Sequence, residues 1–251
     1  MEVTMKKWLV GGGLLAVAGW VVAQGASSGA AVLGSFSKAL NGAEGLSVTY
    51  TLTKLGGSPE SYTVNLGKPN LARFESPSQI IVADGKTITF FDKKSNSYFK
   101  RQQTAAELTA ILAEDPYRLW SSFFNAEAYK GAVAKGLPDK ARKGTTFKVV
   151  SITAPDSADI TWTLYVDPKD NLAKQAEIVV ASGSEAGTRI LDCKSLELTK
   201  ADVFAFQPPA GSKEVDEAML YSDRWYTDLE EAKKVAAATK RVLFVDFYAD
   251  W

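Results

Sequence analysis

The strongest constraint on the fold is a period of two that begins at Leu46. Leu46, Val48, Tyr50 and Leu52 alternate with Ser47, Thr49, Thr51 and Thr53. Successive side chains of an extended chain point to opposite faces, so this register gives one apolar and one polar face. That is the mark of an antiparallel strand lying on a core. Tyr62, Val64 and Leu66 repeat the pattern after a turn at Gly56-Gly57-Ser58-Pro59. Further strands are expected at Leu71–Glu75, Gln79–Val82, Thr87–Phe91 and Tyr98–Arg101, with Asp84-Gly85 supplying a tight hairpin turn. After an interruption, strands resume at Thr146–Ile152, Ile160–Val166, Gln175–Ala181, Thr188–Leu198 and Val203–Phe206. Pro208-Pro209 then ends the sheet, because neither proline can donate to a ladder. About ten short strands in series describe a single-layer meander curling around something.

Helical spacing occurs in two places. Ser28 to Leu40 sets Val32, Leu33, Phe36, Ala39 and Leu40 on one face and stops at Asn41-Gly42. Thr104 caps a second helix carrying Leu108, Ile111 and Leu112, and Pro116 opens a third piece with Leu119, Trp120, Phe123 and Phe124. The expected class is α+β: a strongly curved antiparallel sheet, an open half-barrel, covered by helices.

Composition removes most chemistry. Among 251 residues there is no histidine and one cysteine, Cys193. That excludes Ser-His-Asp and Cys-His nucleophiles, His-ligated zinc and an intramolecular disulfide. Equal counts of 29 basic and 29 acidic residues, with no clustered basic face, argue against nucleic-acid binding. No carboxylate pair stands out as acid and base, and no cofactor or metal is expected. Asp84 and Asp92 read as turn residues, and Cys193 as a small buried hydrophobe.

Residues 1–23 read as a signal peptide. Lys6 and Lys7 precede an uncharged run from Trp8 to Val22, and Val21-Val22-Ala23 offers a cleavage site. The run is short for a membrane span and includes three consecutive glycines. Gln24, not Cys, follows the site, so the mature chain is expected free in the periplasm or secreted, without a membrane anchor.

The run Pro69-Asn70-Leu71-Ala72-Arg73-Phe74-Glu75-Ser76-Pro77 resembles a strand of the LolA-type periplasmic lipoprotein carriers. Ile81-Val82-Ala83-Asp84-Gly85-Lys86-Thr87 with Phe91-Asp92 is similar to that family's next hairpin. Asp115-Pro116 falls in its lid region, and Phe204-Ala205-Phe206-Gln207-Pro208-Pro209-Ala210-Gly211 resembles its terminal motif. The carrier-like domain is placed at 28–215. The resemblance implies an apolar cavity for lipoprotein acyl chains, donor and acceptor proteins in the envelope, and no catalysis. Leu108, Ile111, Leu112, Leu119, Trp120, Phe123 and Phe124 supply the movable cover, and Tyr50, Phe74 and Trp162 are candidate cavity residues. Closed-core filling is the commoner use of such aromatics, and it is open equally to Phe90, Phe91 and Tyr165. The resemblance further implies that Arg73 holds the lid by hydrogen bonds. A solvated strand residue paired with Glu75 is the other reading.

The segment 222–251 belongs to something else. Asp228–Thr239 is a helix, Lys240-Arg241 follow, and Val242–Trp251 reads as a buried strand. This resembles the opening helix and strand of the thioredoxin superfamily, in which a Cys-x-x-Cys comes next. The sequence given stops short of those cysteines, so a truncated unit is expected, unable to run thiol–disulfide exchange and poorly anchored. Carrier is the leading reading. The front part of an envelope thiol oxidoreductase comes second, and an envelope lipoprotein-stress sensor related to the RseB type third.

Overall fold

The computed structural model describes residues 28–142, 144–153, 158–183, 186–220 and 225–247. The signal segment 1–23, the outer residues of the segment 222–251 and the end of its expected strand lie outside the described residues. Helix α1 (Gly29–Asn41) comes first, capped by Ser28, whose Oγ accepts from Ala31 N at 3.1 Å. Six strands follow: β1 (Gly45–Lys54), β2 (Pro59–Gly67), β3 (Leu71–Glu75), β4 (Gln79–Ala83), β5 (Thr87–Asp92) and β6 (Ser97–Gln102). Helix α2 (Ala105–Ala113) and the 3-10 helix η1 (Arg118–Phe123) cross to β7 (Val133–Arg142), β8 (Thr145–Thr153), β9 (Ile160–Asp167), β10 (Leu172–Val180) and β11 (Gly187–Glu197). The short β12 (Lys213–Glu214), α3 (Glu217–Leu220) and α4 (Leu229–Thr239) complete the described elements.

One sheet holds all twelve strands in the order β12-β6-β5-β4-β3-β2-β1-β11-β10-β9-β8-β7. It consists of two antiparallel meanders, β1–β6 and β7–β11, joined where β1 pairs antiparallel with β11. The α2–η1 segment is the crossover between them. At the β4–β5 hairpin Gly85 has φ +95°, which glycine adopts without strain, and Asp84 Oδ1 accepts from Lys86 N and Thr87 N.

The concave face carries the core. Phe36, Leu40, Tyr50, Leu66, Phe74, Trp120 and Phe123 are fully buried there, drawn from α1, β1–β3 and η1. Helix α1 lies against β7 and β8. Gly29 makes this possible: a Cβ at that position would sit 2.5 Å from Gly136 N and 2.6 Å from Ala134 O.

Three expectations are corrected. Val203–Phe206 is not a strand. It is a strap on the outer face of the sheet, where Phe204 meets Gly67 and the Phe206 ring lies 5.1 Å from Tyr98 and 6.1 Å from Phe91. The alternation of apolar residues is genuine, but it fits an outer groove instead of a ladder. Strand β7 had no strand signature, because it combines Gly136, Pro138 and a register shift between Leu137 and Lys140. Proline, bulge and basic side chains suit an exposed sheet edge. Finally, α4 forms with Asp228 as its cap, yet residues 242–247 pair with no strand, and Val242 and Phe247 are 96% and 89% exposed. An extended run without a neighbouring strand has no ladder to satisfy it.

Candidate ligand-binding site

The period of two in β1 and β3 points Tyr50 and Phe74 to the concave side, and the 3.6-residue period of α2 does the same for Leu108, Ile111 and Leu112. Thr104 and Glu107 cap α2 reciprocally, Thr104 Oγ1 accepting from Glu107 N at 3.2 Å and Glu107 Oε2 from Thr104 N at 2.8 Å. Eight of the nine sequence-selected residues therefore meet in one apolar cluster: Tyr50, Phe74, Leu108, Ile111, Leu112, Trp120, Phe123 and, from β9, Trp162. Crossover residues reach into the aromatic layer. The Tyr50 hydroxyl donates to Pro116 O at 3.1 Å, its ring stacks 5.5 Å from Tyr62, and Tyr117 lies 4.8 Å from Phe74. Instead of bounding an open hollow, these side chains fill it: the cover occupies the space a ligand would take.

Arg73 is elsewhere. It lies between Ala72 and Phe74, both fully buried on the concave side, so its own side chain emerges on the outer face. There Nη2 stands 3.6 Å from Glu75 Oε2, and Glu75 Oε1 also receives Lys93 Nζ at 3.0 Å. The expected hydrogen bonds from Arg73 to α2 are not made.

Lys68, which sequence reasoning passed over, takes a clamping position. Its Nζ donates to Asn41 O at the end of α1 and lies 5.8 Å from the centre of the Phe123 ring. Asn41 Nδ2 in turn donates to Ser122 O at 3.2 Å. One lysine and one asparagine thus join β2, α1 and η1. The only sequence signal was a cation directly before Pro69, at the edge of the motif that drew attention to Arg73.

Polar satisfaction on the crossover is incomplete. Ser122 Oγ and Asp115 Oδ1 are buried with no hydrogen-bond partner among the described residues. Burial raises the Asp115 carboxyl above its usual range, while Arg189 at 3.7 Å and Arg118 pull it back. Burial also pushes the Tyr117 hydroxyl up to about 12 and the Cys193 thiol up to about 12, which leaves Cys193 a poor nucleophile.

Open volume exists at one side of the cluster. A cavity of about 730 Å³ lies between β4 and β5, the outer side of α2, and the C-terminal segment. Ile81, Phe90 and Ile111 form its apolar wall, and Arg101 and Glu107 stand on its rim. Its size is that of a small-ligand pocket. Ile111 belongs both to this cavity and to the filled core, so the cavity, here termed the mouth, adjoins that core at Ile111.

The model of the family described as outer membrane lipoprotein carrier protein LolA matches residues 43–207. No curated protein matches the chain. Among solved structures, the crystal structure of MucB aligns at 14% identity and a TM-score of 0.45, covering 71% of this chain and 62% of that one. An uncharacterized conserved protein from Thermus thermophilus aligns at 11% identity and 0.46, covering 74% of this chain and 98% of that one. A LolA superfamily protein from Nitrosomonas europaea aligns at 11% and 0.34, covering 72% and 99%. The chain thus spans less than two thirds of the MucB chain.

Proposed function

The chain belongs to the LolA family of outer membrane lipoprotein carriers, and from that premise we propose that it is an exported, non-catalytic carrier of lipoprotein acyl chains or a similar apolar ligand. The observation that carries the reading is the cover. The concave face carries the apolar core, and the segment closing it is a crossover with polar atoms at Asp115 and Ser122 that are buried without partners among the described residues. Such a segment leaves its place at lower cost than a fully satisfied helix. An acyl chain entering beside Ile111 would replace it against Tyr50, Phe74 and Trp162, with Leu108, Leu112, Trp120 and Phe123 moving outward. Burial is worth about 0.8 kcal/mol per CH₂, so one long chain brings on the order of 10 kcal/mol gross before ordering and association are deducted. The periplasm is the proposed compartment, and no helix among the described residues is long and apolar enough to cross a membrane.

The test is titration of delipidated protein with a dipalmitoylated lipopeptide, read by tryptophan fluorescence and by mass spectrometry of the complex. Saturable uptake with a change in Trp120 and Trp162 emission is expected. Absence of uptake, with the fold intact by circular dichroism, overturns the carrier reading.

A second reading concerns the C-terminal segment alone. The helix at 229–239 followed by the exposed apolar run Val242, Phe244 and Phe247 is what a thioredoxin-like opening without its sheet partners would present. Sequencing the coding region onward from codon 251 tests it: a Cys-x-x-Cys supports a redox unit, and a stop codon with no cysteines in any nearby frame removes it.

A further inference from the structure

The residues beyond 207 lie outside the stretch matched to the family, and they run across the mouth. Strand β12 joins β6 in parallel, with Lys213 N donating to Asn96 O at 3.1 Å and Val215 N to Tyr98 O at 2.8 Å. Two ion pairs hold the same stretch: Lys100 Nζ to Glu214 Oε2 at 3.2 Å and Arg101 Nη1 to Glu217 Oε1 at 2.8 Å. Arg101 does more than bind the tail. Its Nε also pairs with Glu107 of α2, and its guanidinium lies 4.9 Å from the centre of the Phe90 ring in the cavity wall. One side chain therefore connects the tail, the cover and the mouth. Past α3, Tyr226 and Val235 form the far side of the cavity.

We propose that the described residues 213–220 and 225–239 form a detachable roof over the mouth of the acyl-chain site, latched through Arg101, so that tail docking and ligand uptake compete. The inference rests on the carrier reading and adds its regulation. The contacts named here are individually weak: the strand has two residues, both ion pairs are solvent-exposed, and within α4 only Ala232 is buried among the side chains described. When only the unroofed fraction binds, apparent affinity falls in proportion to that fraction.

The experiment compares the protein with its Glu214→Lys/Glu217→Lys variant, each titrated with a dipalmitoylated lipopeptide while hydrogen exchange is followed at residues 213–217. Both substitutions are at exposed positions, so the fold is retained. The variant is expected to bind at least about threefold more tightly and to load faster. Saturation should strip protection from the Lys213 and Val215 amides of the wild type. Adding salt to the wild type should move its affinity toward that of the variant, since exposed pairs are screened. Adding Lys100→Glu to Glu214→Lys exchanges the signs of one pair and should return part of the wild-type affinity. If both proteins load equally and tail protection is the same with and without lipopeptide, the roof is overturned and the carrier stands. If neither loads, both fall together.

Discussion

Two segments cover the same concave face, and they are built to different standards. Helix α1 has its first turn capped by Ser28, its last carbonyls met by Gly42 N, and its start pressed onto β7 through Gly29. The crossover buries Trp120 and Phe123 as completely as α1 buries Phe36 and Leu40. Yet η1 has no side-chain cap, and Ser122 Oγ and Asp115 Oδ1 are buried without partners among the described residues. Apolar burial is equal on the two sides; polar satisfaction is not. The difference separates a fixed wall from an exchangeable one, since a buried unsatisfied group costs about 1–3 kcal/mol that the segment recovers on leaving.

The largest effect expected is at Phe36. Phe36→Ala should destabilise by about 3–5 kcal/mol, because the rigid helix cannot collapse into the cavity it leaves. Phe123→Ala removes the same side chain from a segment able to readjust, and should cost at least about 1 kcal/mol less. Urea unfolding of both variants with comparable m-values measures this. Equal losses would break the distinction between wall and cover.

Lys68 is next. Lys68→Met keeps the aliphatic stem but removes the bond to Asn41 O and the cation above Phe123. A loss of about 1–2 kcal/mol is expected, that of a charge-assisted hydrogen bond, together with faster lipopeptide exchange. Lost stability with unchanged exchange would make Lys68 a brace and not a clamp on the cover.

The two segments also differ in how well the sequence announced them. Alternation at Leu46–Thr53 and the 3.6-residue spacing of Val32, Leu33 and Phe36 are local signals, and β1 and α1 stand where they pointed. Tyr50, Phe74 and the α2 leucines were legible for the same reason: periodicity fixes a face. It does not say what the face meets, so a hollow was expected where side chains interlock. Arg73 shows the limit of motif reading, because its place between Ala72 and Phe74 sends it outward whatever the surrounding motif. Lys68 was missed since its partners, Asn41 and Phe123, come together only through the fold. Phe204 and Phe206 were read as strand because a strap lying in an outer groove alternates in the same way.

Ser122 gives a smaller effect of opposite sign. Ser122→Ala deletes a buried hydroxyl without a partner and leaves Asn41 its bond to the main-chain carbonyl. A gain of about 1 kcal/mol is expected, with slower loading because the cover now fits better. Thermal unfolding and stopped-flow lipopeptide uptake read the two parts. A loss of stability would mean that the hydroxyl is satisfied in solution, and the cover would then resemble α1.

Asp115 sharpens the comparison most finely, through pH. Burial holds its folded carboxyl above the ordinary value of 3.8, with Arg189 and Arg118 opposing. Across the window from 3.8 up to the raised folded value, the native state binds more protons than the unfolded chain at this site. Its contribution to stability therefore falls as pH rises through that window and is constant above it. Asparagine has no such charge, so Asp115→Asn removes the slope. The stability of the variant minus that of the wild type should grow with pH across the window and then level off, as read from urea midpoints between acid and neutral pH. A difference that shrinks with rising pH would show the carboxylate better served by Arg189 than burial harms it. The cover would then be as well satisfied at this point as α1 is at its ends, and Ser122 would be left to carry the contrast.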